Sequence, residues 1–184
     1  MDGFVHLNVH SAFSMLDGTA DVPALAAAAA AAGMDTLALT DTDGMYGVVP
    51  FTRACAVHGI RPVYGVELSE PFRGDRSAYR EYADGRTLRR ATLLARDKGG
   101  YEAVCRVVTR RHLMRDFDWE ESVVVLPDSV FVLTDDVPVL RRRAVVRRDR
   151  DATRVEIRHF GGPDSMVRRR RLIELAETLS IRPV

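Results

Sequence analysis

Apolar and polar residues alternate at the start of the chain, with Val5, Leu7 and Val9 on one face and His6, Asn8 and His10 on the other. A period of two predicts a strand over residues 4–9. Asp21 then stands before Val22-Pro23, an N-cap followed by a proline tolerated in a first helical turn. Residues 26–32 are all alanine, the best helix former, and Gly33 supplies a left-handed stop. Side chains this small let the helix lie close to a sheet. Residues 36–40 read as the next strand, Thr42-Asp43-Gly44 as a turn, residues 48–58 as a helix ended by Gly59, and residues 61–68 as a third strand. Strand, helix, strand, helix, strand with short connections predicts a parallel α/β fold.

The second half is less regular. Residues 69–90 are polar, carry Gly74 and Gly85, and read as a loop or excursion. A short strand over 92–95 and a helix over 100–111 follow. Residues 116–121 read as an acidic loop holding the only tryptophan, Trp119. Residues 123–126 and 130–133 are apolar runs separated by the turn signal Pro127-Asp128-Ser129. Asp135 is placed to cap a helix over 137–148. A strand over 154–160 is broken by Gly161-Gly162-Pro163, and Asp164 is placed to cap a helix running to Leu179. Residues 181–184 resemble the opening of another strand. The pattern therefore predicts a single α/β domain over 1–184, shortened and incomplete at its C-terminus. There is no internal repeat.

Composition narrows this reading. At 184 residues and 46% hydrophobic, the chain is long and apolar enough for one packed core, which excludes wholesale disorder. No apolar run approaches the ~20 residues of a membrane span, and the start lacks a signal-peptide pattern. Two cysteines, Cys55 and Cys105, are too few for a disulfide framework, so the expectation is a reduced, cytoplasmic protein without a membrane partner. The net charge of +1 hides an asymmetry. Residues 1–72 hold two basic and eight acidic side chains, whereas residues 137–184 hold thirteen and six. Such a gradient marks either solvated helix faces or a nucleic-acid or partner surface.

The acidic third also collects candidate metal ligands near predicted strand ends: His6, Asn8 and His10 on one face, then Asp17, Asp41, Asp43 and Glu67. In α/β folds the strand C-termini converge on the site. Imidazoles and carboxylates there suit zinc, manganese or iron, and such ions activate water for phosphoester hydrolysis. The same aspartates also suit plain turns, where their side chains hydrogen-bond locally.

Five blocks carry a resemblance: FVHLNVHSAFSMLDG at 4–18, LALTDTDGMYGVVPF at 37–51, GIRPVYGVEL at 59–68, TLLARDKGGYEAVCRVV at 92–108, and VEIRHFGGPDSMVRRRRLIELAETLSIRPV at 155–184. In content and order they resemble the PHP (polymerase and histidinol phosphatase) domain of bacterial C-family DNA polymerases, the replicative alpha-type and error-prone enzymes. The resemblance implies a distorted (β/α)7 barrel with up to three metal ions at the strand C-termini.

Position by position it implies a depleted ligand set. His10, Asp17 and Glu67 match family ligands, while Asn8, Thr42 and Arg90 stand where the family has histidines. A later cysteine motif has no match, and the final Asp-x-His ligands are expected just past Val184. Loss of ligands implies a degenerate site with no cofactor, or at most a divalent metal (Zn, Mn or Fe). Arg90 is placed to neutralise the remaining carboxylates as an ion pair. The polymerase palm lies outside these residues in the family. The expected partners are therefore the remainder of an alpha subunit or replisome and repair components, with DNA reached through the parent polymerase. Arg141, Arg142, Arg143, Arg147 and Arg148, and the run Arg168, Arg169, Arg170 and Arg171, are candidate contacts to phosphates or to a partner. The alternatives are a residual phosphoesterase or 3′–5′ exonuclease, in which Asp41 or Asp43 replaces a lost imidazole, and a stand-alone binding module.

Overall fold

The computed structural model describes residues 4–15, 17–71, 89–147, 149–158 and 163–184. Helix α1 spans Val22–Ala31, and the Asp21 carboxylate accepts from the Ala24 N–H at 2.8 Å, as an N-cap should. Strand β1 (Thr36–Leu39), helix α2 (Val48–His58) and strand β2 (Arg61–Ser69) follow. Gly59 takes φ +68°, a left-handed stop that a side chain would strain. Strand β3 (Arg90–Ala95), helices α3 (Lys98–Leu113) and α4 (Trp119–Val124), strand β4 (Val130–Thr134), helix α5 (Val137–Val146), a 3-10 turn (Arg150–Ala152), strand β5 (Thr153–Val155) and helix α6 (Pro163–Leu179) complete the order. Among the described residues, no helix is long and apolar enough to cross a membrane.

The strands form one sheet in the order β1-β2-β3-β4-β5. The sheet is mixed, which corrects the wholly parallel expectation. β1-β2 and β4-β5 are parallel, whereas β3 runs antiparallel to both β2 and β4. Ser69 at the end of β2 pairs with Arg90 at the start of β3, so the chain re-enters the sheet at the end where it left. That reversal follows from the connection between the strands, not from any alternation within them. Of the predicted 69–90 excursion, Ser69 closes β2 and Arg90 opens β3, while 72–88 lie outside the described residues.

Other boundaries also move. Residues 4–9 run beside β1 without forming a regular strand. Ala38 N–H donates to the His6 carbonyl at 3.1 Å and Thr40 N–H to the Val9 carbonyl at 2.9 Å, so three steps on one side meet two on the other. This is the spacing of a bulge. The predicted acidic loop and the apolar run behind it instead form α4, capped by Asp118, which accepts from Glu121 N–H at 2.9 Å. Asp136, not Asp135, caps α5. The strand expected over 154–160 is cut to Thr153–Val155, and its last two positions lie outside the described residues. The C-terminal residues do pair as a strand would: Val155 N–H donates to Arg182, and Ile157 N–H to Val184 at 2.8 Å.

Alternation sorts the sheet into two faces. Val66, Leu68, Ala91, Leu93, Val130 and Val132 point to the helices and pack with Val104, Val107, Trp119, Val123 and Val139. On the other face Ala38, Leu94 and Leu133 pack with Leu7, Val63 and Phe131. Glu67 and Arg90 share that second face, because each lies an even number of residues from Val63 or Leu94.

Candidate functional site

Glu67 is wholly buried on β2, and its carboxylate is surrounded by donors. Arg90 donates to Oε1 at 2.7 Å, while Arg158 and the Asn8 amide donate to Oε2 at 2.6 and 3.1 Å. Arg158 and Asn8 also reach the Glu156 carboxylate, at 2.9 and 3.2 Å. The Asn8 carbonyl oxygen accepts from Thr40 Oγ1 and faces His10 Nε2, each at 3.0 Å. His10 Nδ1 lies 3.0 Å from Asp17, and Arg90 lies 3.6 Å from that same carboxylate. His10 thus has an oxygen beside each ring nitrogen, a carboxylate at Nδ1 and an amide carbonyl at Nε2.

The electrostatics follow from burial set against these partners. Burial opposes the Glu67 charge, but Arg158, the Asn8 amide, Arg90 and His10 outweigh it and hold the carboxyl below its ordinary range. For Glu156 burial wins over Arg158 and Asn8, and nearby Glu67 adds to it, so its carboxyl is pushed up. Burial also disfavours the Arg158 charge, but Glu156 and Glu67 reverse this and raise its pKa. A carboxyl held low in the fold stabilises it above the unfolded value, and that stability is lost as pH falls through the folded value. The Glu67→Gln variant is therefore expected to show a shallower loss of unfolding free energy on acidification below 4.5, the ordinary glutamate value. Urea titrations at a series of pH values would measure the slope, and identical acid limbs in the two proteins would refute the coupling.

The cluster opens onto a cavity of about 840 Å³, floored on one side by Ala28, Ala29 and Ala32 of the alanine helix. Among the described residues, His10, Asp17 and Glu67 form a group of metal-ligating types whose donor atoms lie within 4.8 Å of one another, the same three that the resemblance implied as ligands. The positions expected to have lost a ligand sit beside them. Asn8 and Arg90 bond Glu67, and Thr42 Oγ1 lies 3.5 Å from His10 Nδ1.

His6 lines the cavity but turns its ring edge-on to Phe4. Asp41 does not join the cluster, because its carboxylate accepts from Ser11 N–H at 2.7 Å, from Ser11 Oγ and from Ser14 Oγ, holding the 11–14 loop closed. Asp43 is likewise engaged elsewhere, by Ser69 N–H and Oγ and by Arg111 at 2.7 Å. Neither fills the place of a lost imidazole. Glu156 and Arg158 were not singled out in the sequence. Their signal was two charged residues two apart in a predicted strand that otherwise buries apolar side chains, which puts both on the cluster's face.

Five of the nine candidate arginines of the C-terminal third are already engaged within the fold. Arg143 is wholly buried, and it donates to the Val123, Val124 and Leu126 carbonyls and to Thr153. It is therefore not a phosphate contact. Arg142 pairs with Glu120 and Glu121, Arg147 reaches the Val124 carbonyl, Arg168 pairs with Asp135 and Arg170 with Glu174. Arg141, Arg169 and Arg171 remain exposed with no ion-pair partner among the described residues, and Arg148 lies outside those residues.

The fold has relatives among known proteins. The PHP domain profile matches residues 6–133. The DNA polymerase III subunit alpha of Halalkalibacterium halodurans is 34% identical over 133 residues, covering 70% of this chain and 11% of that protein. The error-prone DNA polymerase of Symbiobacterium thermophilum is 41% identical over 110 residues, covering 60% and 9%. The chain thus spans about a tenth of the length of these curated relatives. A Bifidobacterium adolescentis protein described as a metal-dependent phosphoesterase shares the fold, with a TM-score of 0.61 at 14% identity over 97% of this chain and 85% of that one.

Proposed function

Since the chain belongs to the PHP domain family, we propose that it serves as the PHP module of a bacterial alpha-type DNA polymerase, replicative or error-prone. Its role there is to brace the polymerase architecture in replication or repair synthesis rather than to hydrolyse phosphoesters. The domain would span residues 1–184, act in the cytoplasm, and meet DNA through the rest of that polymerase. The observation that carries the reading is the double arginine clamp on Glu67. A divalent ion bound by His10, Asp17 and Glu67 would need lone pairs that Arg90, Arg158 and Asn8 already use. It would also sit among two guanidiniums, and like charges in a buried site oppose one another strongly. The donor set therefore does not fit a catalytic metal centre, and no hydrolytic step is assigned to it.

The second reading is a residual phosphoesterase or 3′–5′ exonuclease, favoured by the closeness of the His10, Asp17 and Glu67 donor atoms. The two readings separate on one experiment. The purified chain is incubated with zinc, manganese or iron(II), and hydrolysis of p-nitrophenyl phosphate and of single-stranded DNA is measured beside Glu67→Ala. The expected outcome is no metal-dependent rate above that variant. A metal-dependent rate abolished by Glu67→Ala would establish the enzyme reading instead.

A further inference from the structure

The sheet face that carries Glu67 at one end carries a second cavity at the other, of about 1090 Å³. Its floor is apolar: Leu7, Val63 and Phe131 are only half-buried, and Leu94 and Leu133 close the bottom. Its rim is cationic. Arg96 and Arg154 lie over the Phe131 ring, at 4.7 and 5.8 Å from its centroid, and are paired with Asp149 and Asp151. Arg61 and Lys98 are different. Arg61 donates only to Thr36 Oγ1 at 3.2 Å, and neither residue meets a carboxylate among the described residues. The one side-chain carboxylate among the lining residues, Asp97, caps α3 by accepting from Gly100 N–H at 2.9 Å. Arg61 and Lys98 are thus the charged side chains of this cavity that meet no carboxylate among the described residues, over a floor of partly wetted hydrocarbon.

We infer that this cavity binds an amphiphilic organic anion, with its alkyl or aryl body against Leu7, Val63, Leu94 and Phe131 and its carboxylate, phosphate or sulfate head at Arg61 and Lys98. Apolar burial supplies the affinity and the two unpaired cations set the orientation and the charge preference. The cavity is recessed between strands and α3, so it takes a free amphiphile rather than the flat surface of a bilayer.

Octyl sulfate below its micelle concentration, titrated calorimetrically into the full chain, tests this. The expected result is saturable 1:1 binding, with none for inorganic sulfate alone. Exchanging both cations (Arg61→Gln with Lys98→Gln) is expected to weaken binding about tenfold, the order of two partly solvated charge contacts. Octanol, which lacks the head, is expected to bind more weakly by a similar factor. Val63→Phe, which fills the floor, is expected to abolish binding without shifting the urea midpoint. No saturable binding, or equal affinity in the double variant, would overturn the assignment. So would sedimentation with phosphatidylglycerol vesicles in the absence of octyl sulfate binding, which would point to a membrane surface instead.

Discussion

The Arg143→Ala variant is expected to lose about 3 kcal/mol of unfolding free energy, the largest single-residue loss away from the Glu67 cluster. Helix α4 has six residues, so its last carbonyls have no partner within the helix. The Arg143 guanidinium enters from α5 and donates to Val123, Val124 and Leu126, at 2.8, 3.2 and 3.3 Å, while its Nε reaches Thr153 at 2.9 Å. Burial, then Arg147, pull its pKa down to about 10 against the opposing pull of Asp128, so it still carries its charge at neutral pH. One side chain thus ties α4, α5 and β5 together where the apolar clusters meet. Truncation leaves three carbonyls without this donor, although removing a buried cation offsets part of that cost. Arg143→Lys is expected to recover little, because a single ammonium cannot reproduce the planar fork. Urea unfolding would measure both, and a change below about 0.5 kcal/mol for Arg143→Ala, as at an ordinary surface site, would show that the carbonyls find other donors.

Arg143 also shows what the sequence made legible. Arg141, Arg142 and Arg143 are indistinguishable as letters, and all three read as a charged helix face. Only the packing of α5 against α4 turns the third inward, and a tertiary contact of that kind leaves no periodicity. Elements specified locally were readable. Asp21 and Gly33 bracket α1, Gly59 stops α2, and an apolar run behind the turn Pro127-Asp128-Ser129 marks β4. Residues 119–126 misled because their valines outweighed a capping pattern that was present, Asp118 three residues before Glu121.

The candidate site was legible in part. Residue types offered a wider set of candidates, the family resemblance narrowed it to His10, Asp17 and Glu67, and the structure joins those three. Asp41 and Asp43 belonged to the same pattern by type, but nearby serines had first claim on them. Glu156 and Arg158 directly follow β5, whose parallel pairing with β4 brings them to the cluster. The sequence offered no reason to bring residues so distant in the chain to Asn8 and Glu67. The clamp on Glu67 was therefore half visible, with Arg90 expected and Arg158 not.

Removing that second arm is the sharper test of what the cluster does. Arg158→Met is expected to destabilise the fold by about 3–5 kcal/mol at pH 7, the cost of breaking a buried ion pair from one side. Its guanidinium serves both Glu67 and Glu156, whose side chains are 1% and 11% exposed. Without it Glu67 keeps Arg90 and Asn8, but Glu156 keeps only the Asn8 amide. Glu156 already holds its proton more tightly than usual because of burial, and losing Arg158 pushes it further that way. A carboxyl whose folded pKa is raised favours the fold below that value and weakens it as pH rises through it. The deficit of Arg158→Met should therefore shrink as pH falls toward the ordinary value of 4.5, and adding Glu156→Gln should restore part of the loss at pH 7. The sign of the effect discriminates between roles. In a metal centre an arginine among the ligands repels the ion, and its removal relieves the site. In a structural network the arginine is the counter-ion, and its removal exposes buried carboxylates to each other. A variant as stable as the parent at pH 7, measured by urea unfolding, would remove the basis for the structural reading.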